Sequence, residues 1–419
     1  MSLKVRLILS ALFCSLGLQA GSVVAAETLP AQQVAIRACG SLLGRVNAIP
    51  GTGPVFLQSY DASTGAESEP TLHGAYTYDN ALAVIALVAC GHRDAALRIA
   101  DALLAASEGD RSGATGRIRN AYRPGPVKER PVPPMGWWSD QDGRWVEDSY
   151  QVGSATGNVA WAALALLTVA GDAQDDRYRA AAARLARWVA ATALDPRQPA
   201  GFNGGIYGYD DASQRLTWKS TEHNTDLAAV FDWLSRLEPH KEWQADAQTA
   251  RAFVAAQWDQ ASGHFWIGTT PDGVTPNRVN SGLDAQLWPL LLRDAPEAWA
   301  ASIRYAERSH GISGGFDFND DRDGIWWEGT AQAALAYRAV GRTQDADRLL
   351  AEINGQFSPG GFIWASSRIR LTTGLALSPA STIDDFYYYR LPHLAPTAWA
   401  ALAAVGWNPF TGEIATGGR

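Results

Sequence analysis

Twelve stretches of helical periodicity, strictly alternating between two kinds, constrain this chain more than any other feature. One kind is apolar almost all round and opens on a polar or aromatic cluster, at 78–90, 156–170, 222–237, 282–292, 328–340 and 395–405. The other is amphipathic, with Arg, Asp and Gln along one face, at 31–46, 93–106, 176–193, 241–257, 296–309 and 343–354. A helix that is apolar on all sides is buried, whereas a half-polar helix lies at a surface. Six buried helices alternating with six surface helices predict two concentric rings, an all-α toroid of six helical hairpins. No pair can bury its apolar face alone, so neighbours must stack. The Ala-rich inner segments allow the close packing that closure needs.

The links differ by end. Inner-to-outer turns are short, as at Cys90-Gly91-His92. Outer-to-inner links are long and rich in Gly and aromatics. Three of them, GGIYGYDDASQRLTWKS, GHFWIGTTPDGVTPNRVN and GGFDFNDDRDGIWW, are each expected to form a β-hairpin with an Asp/Gly turn. All long links fall on one face, where loops on a rigid scaffold carry function.

Four segments at inner-helix starts, YTYDNALAVIAL, KSTEHNTDLAAVF, GIWWEGTAQAALAY and HLAPTAWAALAAVGWNPF, resemble the six-hairpin (α/α)6 glycosidase superfamily. The resemblance extends over nearly the whole chain beyond residue 26 at the level of architecture. It implies a carbohydrate substrate, bound in a funnel at the N-terminal ends of the inner helices. It implies glycoside hydrolysis first, with polysaccharide lyase or sugar epimerase chemistry as the alternative on the same fold. A non-catalytic carbohydrate-binding component of an exopolysaccharide export system is the third reading.

Glycosidic cleavage needs one carboxylic acid to protonate the leaving oxygen and a second carboxylate as base or nucleophile. Glu222, between Thr221 and His223 at the mouth of an apolar helix, is the expected general acid, because an apolar surround keeps a carboxyl protonated. Asp79 is the candidate base, and Glu328, after Trp326 and Trp327, is the third catalytic candidate. Tyr78, Asp148, Asn158, Trp218, His223, Asp284, Trp326, Trp327 and His393 are the expected substrate-binding residues. Tyr78, His223 or His393 would be the base of a lyase or epimerase. The bland reading of the acids is helix capping, since first-turn carboxylates suit the helix dipole and Thr77, Thr221 and Ser281 are ordinary N-cap types. Caps do not require aromatic neighbours, yet Tyr78, Trp218 and Trp327 lie beside these acids. Of 17 tryptophans, eight fall in links or at inner-helix starts. Their flat faces match the C–H faces of pyranose rings, and about half are expected to be packing instead.

No metal ligand set is expected, as no HExxH or comparable spacing occurs. Asn319, Asp321, Asp323 and Gly324 match a D-x-D-x-D-G calcium loop, but the twelfth position is Thr330 rather than a bidentate Glu. A solvated acidic turn is therefore expected, with Ca²⁺ the candidate ion if one binds, and no cofactor is required.

Residues 1–26 read as a secretory signal, with Lys4 and Arg6 before an apolar run and Val24-Ala25-Ala26 at its end, leaving 27–419 as a single catalytic domain. A periplasmic or secreted monomer without a membrane anchor is expected. Loss of the signal moves the formal charge from −8 to −10, which argues against nucleic acid as a partner. Cys39 and Cys90 remain, and either a disulfide or two buried thiols would suit them.

Overall fold

A computed structural model describes residues 29–61, 70–238 and 241–415. The signal segment expected at 1–26 lies outside the described residues. No helix among those described is long and apolar enough to cross a membrane.

Twelve α-helices are present among the described residues. The inner ring is α2 (Thr77–Ala89), α4 (Thr156–Ala173), α6 (Thr221–Leu237), α8 (Leu283–Leu287), α10 (Trp327–Ala339) and α12 (Leu394–Val405). The outer ring is α1 (Pro30–Asn47), α3 (Arg93–Glu108), α5 (Asp176–Ala193), α7 (Lys241–Ala256), α9 (Ala301–Ser309) and α11 (Thr343–Asn354). Each inner helix packs on its inner neighbours and chiefly on one outer helix, and α12 closes the circle against both α2 and α1. Inner helices bury residues on every side, as in α2 from Asn80 through Leu87, whereas α11 buries Ala346, Leu350 and Ile353 along one stripe.

The fourth hairpin departs from expectation. The inner helix is five residues long and continues as a 3₁₀ turn over Trp288–Leu291, and the outer helix is entered through a second 3₁₀ turn at Glu297–Ala300. Pro289 has no N–H for the α-helical ladder, so the segment tightens there.

Two repeated devices hold the ring together. The first helical N–H of each inner helix donates to a carbonyl of the next link: Thr77 to Asn120, Thr156 to Gly204, Thr221 to Ile267, Leu283 to Phe318, Trp327 to Ala365 and Leu394 to Ser59. The last of these joins the end of the chain to its beginning, so the toroid is closed. Three residues further on, five of the six helices place a polar side chain that accepts from a backbone N–H of the preceding link. Asn80 takes Leu57, Asn224 takes Phe202, Gln286 takes Phe265, Thr330 takes Phe316 and Thr397 takes Ile363.

Two of the three expected hairpins form. Gly205–Tyr207 pairs with Gln214–Leu216, and Thr269 bridges Pro276 across the Asp272-Gly273 turn, with the Asn277 N–H donating to the Gly268 carbonyl. In the third link Gly315–Phe316 pairs backward with Gly311–Ile312, and the Phe316 N–H is taken by Thr330 of the helix that follows. The capping expectation is also corrected. Ser220, not Thr221, caps α6 by accepting from the His223 N–H, the Thr77 and Thr221 hydroxyls donate to Arg119 and Trp266 carbonyls, and Ser281 bonds His310.

Cys39 and Cys90 form a disulfide that ties α1 to the end of α2 across 51 residues. Closing a loop of that length restricts the unfolded chain, and reduction is expected to lower stability by about 4 kcal/mol. For a domain of this size that is a fall in melting temperature of about 5 °C. Identical melting curves with and without reductant would show that the bond contributes nothing.

Candidate active site

Cβ vectors place residues i and i+4 of a helix on one face, a turn apart. The second residues of the six inner helices therefore form one layer at the loop face, and the residues four places further on form the layer beneath. Around the ring the upper layer reads Tyr78, Gly157, Glu222, Asp284, Glu328 and Ala395, and the lower layer Leu82, Trp161, Asp226, Trp288, Gln332 and Trp399. Adjacent helices α6, α8 and α10 thus carry three carboxyl groups at one level.

The lower layer is a plug. Trp161 packs against Trp288 at 5.3 Å and Trp399 at 5.6 Å, and Phe410 from the C-terminal segment lies 5.3 Å from Trp161. Tyr78 stands edge-on to Trp161 at 5.3 Å, so aromatic rings floor the funnel. The Trp399 indole donates to the Tyr78 hydroxyl at 2.8 Å, and that hydroxyl donates to Glu328 Oε1 at 2.6 Å. Gln332, one turn below, also donates to Glu328 Oε1, at 3.4 Å.

Burial pushes the Glu328 carboxyl up to about 7, against the opposing pull of His393 and the Tyr78 hydrogen bond, with Asp79 and Asp284 adding to the rise. Glu222 is pushed well above the carboxylate range by burial and then by Asp284 and Glu328. Asp284 rises to about 6 through burial, although it accepts from the Ala285 N–H at 2.6 Å. Glu222 and Glu328 accept from no backbone N–H, so neither is a helix cap. Among the described residues no hydrogen bond reaches Glu222.

Asp79 Oδ2 pairs with His393 Nε2 at 2.9 Å. Tyr60 stacks on the His393 ring at 4.1 Å, leaving its Nδ1 buried and unpartnered. His223 lies over Gly157, where a Cβ would stand 2.5 Å from the imidazole Cδ2, so only glycine fits beneath it. Burial lowers the His223 pKa to about 4 and keeps the ring neutral.

The remaining expected residues divide. Asn158 donates to Asn120 and neighbours Tyr150, whose phenol is raised to about 12 chiefly by burial, with Glu222 and Asp79 among the charges acting on it. Asp148 accepts from the Tyr150 and Gln151 N–H groups and so shapes the turn that presents Tyr150. Trp218 is half-buried beside His223, with Gly204 beneath its ring. Trp326 and Trp327 are 2% and 3% exposed and offer no open face; Trp326 stacks on Tyr388 at 5.1 Å. Both fill space between loop and ring. Trp138 is 59% exposed on the hairpin Trp137–Ser139/Arg144–Val146.

Asp226, Gln332, Tyr60 and Tyr150 are site residues that the sequence reading missed. Asp226 and Gln332 are legible afterwards as polar residues four places after Glu222 and Glu328 in otherwise apolar helices. The two tyrosines come from distant links and carry no local signal, whereas Tyr388 lies in the Tyr387-Tyr388-Tyr389 run that the sequence places before the last inner helix as a funnel wall.

No protein-family model and no curated protein sequence matches this chain. Its three-dimensional match is clear. The fold is that of the six-hairpin glycosidases. A wild-type glycosidase matches with TM-score 0.56 at 14% identity, covering 89% of this chain and 96% of that one. An α-amylase from Clostridium perfringens matches with TM-score 0.59 at 10% identity over 88% and 97% of the two chains. A cellobiose 2-epimerase from Bacillus thermoamylovorans also gives 0.59 at 10% identity, over 90% and 98%.

The acidic turn belongs to the link between α9 and α10. Carboxylate oxygens of Asp317, Asp321 and Asp323 lie within 4.8 Å of one another and could hold a metal ion. The expected set changes accordingly. Asn319 is bonded to Asp321 through both its amide nitrogen and its oxygen, Asp317 takes its place, and Thr330 is committed to Phe316 and Trp326. Thr372 donates to Asp321 and Asp323, so much of the acceptor capacity is already used within the turn.

Proposed function

We propose that this chain is a glycoside hydrolase with Glu222 as general acid and Asp79 as the base that activates water. The observation that carries the reading is the Glu222 carboxyl. It is half-buried, the desolvation of its site and the nearby Asp284 and Glu328 raise its pKa well above the carboxylate range, and no described residue hydrogen-bonds it, so its proton is free for a glycosidic oxygen. The leaving oxygen takes that proton as its bond to the anomeric carbon breaks. Water forms the new bond and gives a proton to Asp79, which His393 orients through Oδ2. The glycosidase and amylase among the similar folds support the hydrolytic class.

Asp79 and Glu222 stand on helices separated in the ring by α4, and the carboxyl groups acting on Glu222 are Asp284 and Glu328. That arrangement supports a water molecule between acid and base, which gives inversion. The test is a panel of polysaccharides and oligosaccharides, with fresh products read by proton NMR. An inverted anomer is expected. A retained one would move the second role to Glu328, and no cleavage of any glycan would overturn hydrolysis.

A sugar epimerase is the second reading. His393 favours it, because its Nε2 is held by Asp79 while Nδ1 has no protein partner, as a base for a proton beside a carbonyl would need. An epimeric sugar formed without chain cleavage would establish it. The Cys39–Cys90 bond supports the further reading that the enzyme works in an oxidising compartment, the periplasm or the medium.

A further inference from the structure

The two layers divide the funnel into unlike halves. Helices α12, α2 and α4 supply Ala395, Tyr78 and Gly157 above Trp399, Leu82 and Trp161. Helices α6, α8 and α10 supply Glu222, Asp284 and Glu328 above Asp226, Trp288 and Gln332. Asp226 is fully buried; the Trp161 indole N–H is the donor that acts on its carboxyl group, and neither oxygen makes a well-aligned hydrogen bond. Gln332 is also fully buried, and its Oε1 is unpartnered while its Nε2 is turned to Glu328. A buried acceptor short of donors costs free energy, so these under-filled acceptors in one sector call for a ligand that brings donors.

Among the described residues no lysine or arginine answers them. The buried Arg119 is committed to Asp110 and Asp210, and the buried Lys219 to Asp195 and the Arg197 and Pro199 carbonyls. Arg117 bonds Ser154, Ser112 and Asp210. His393, the basic side chain that does act on this group, faces Glu328 from the other side and is paired with Asp79.

Building on the hydrolase reading, we propose that this acceptor-lined half of the funnel holds the free amine of an amino sugar, so the substrate is a glycan containing non-acetylated hexosamine. An ammonium group brings three donors and a positive charge into a sector of carboxyl groups. An N-acetyl group brings one donor and an acceptor carbonyl, and a neutral hexose brings no charge.

The test is titration calorimetry of the whole protein near neutral pH with glucosamine and galactosamine, their N-acetyl forms, and glucose and galactose. At least one amine is expected to bind about tenfold or more tightly than its acetylated and parent forms. Asp226→Asn, an isosteric change, is expected to reduce that preference about tenfold. Equal affinity for amine and parent hexose, loss of both alike in Asp226→Asn, or no binding of either amine overturns the proposal. Amine binding without cleavage of any hexosamine glycan would instead sink hydrolysis alone. Cleavage of a neutral glycan that Glu222→Gln abolishes, with no amine preference, would sink this inference alone.

Discussion

Glu222→Gln is expected to reduce turnover by between about 10² and 10⁴-fold on whichever glycan the wild type cleaves, with no loss of thermal stability. The amide keeps the shape of the side chain and removes the proton that the leaving oxygen needs. Nothing in the protein is left unpaired by the exchange, since no described residue donates to Glu222. Stability should hold or rise, because the change also removes a half-buried acid that Asp284 and Glu328 oppose when it ionises. Asp284→Asn is the control. Asp284 sits in the same layer but is held by the Ala285 N–H, so its loss should cost far less turnover. Equal, small losses in both variants, with the glycan still cleaved, would remove Glu222 from the mechanism.

The architecture was legible because burial writes itself into sequence. A helix buried on all sides must be apolar on all sides, and α2, α4 and α12 are. Where backbone chemistry overrides that pattern, the reading fails, as at Pro289, whose ring ends the fourth inner helix early. The third hairpin was misread for a different reason. A strand pairs with whatever its free N–H and C=O groups can reach, and the side chain that claims Phe316 comes from the helix downstream. The site shows the same division. Glu222, Asp284 and Glu328 announce themselves as acids heading apolar helices. Asp226 and Gln332 hide a turn deeper, and only the register of one helix against the next reveals that they share a layer. Tyr60 and Tyr150 reach the funnel through tertiary folding alone.

Glu328→Gln is expected to flatten the dependence of stability on pH. The Glu328 carboxyl has a pKa of about 7 in the folded chain, against an ordinary value of 4.5. Between those two pH values the folded protein holds a proton that the unfolded chain has released, so stability falls as pH rises through this window. A difference of that size corresponds to about 3 kcal/mol, fully developed above pH 7 and absent below about pH 4. Asp284, raised to about 6, and Asp317, raised to about 7, slope the same way, so the wild type should lose stability steadily from mild acid to neutrality. A neutral amide at 328 can still accept the Tyr78 hydrogen bond and has no proton to lose. The variant should match the wild type near pH 4 and exceed it by about 3 kcal/mol near pH 8, with a shallower slope between. Chemical denaturation at the two pH values measures the difference. An unchanged slope would mean that Glu328 ionises in the folded protein as easily as in the unfolded chain, and that the funnel is wetter than its burial implies. The expected result has a functional corollary. A protein that keeps three carboxyl groups against one another at the mouth of a hydrophobic ring sacrifices stability at neutral pH, and selection retains such an arrangement where the acids act on a ligand.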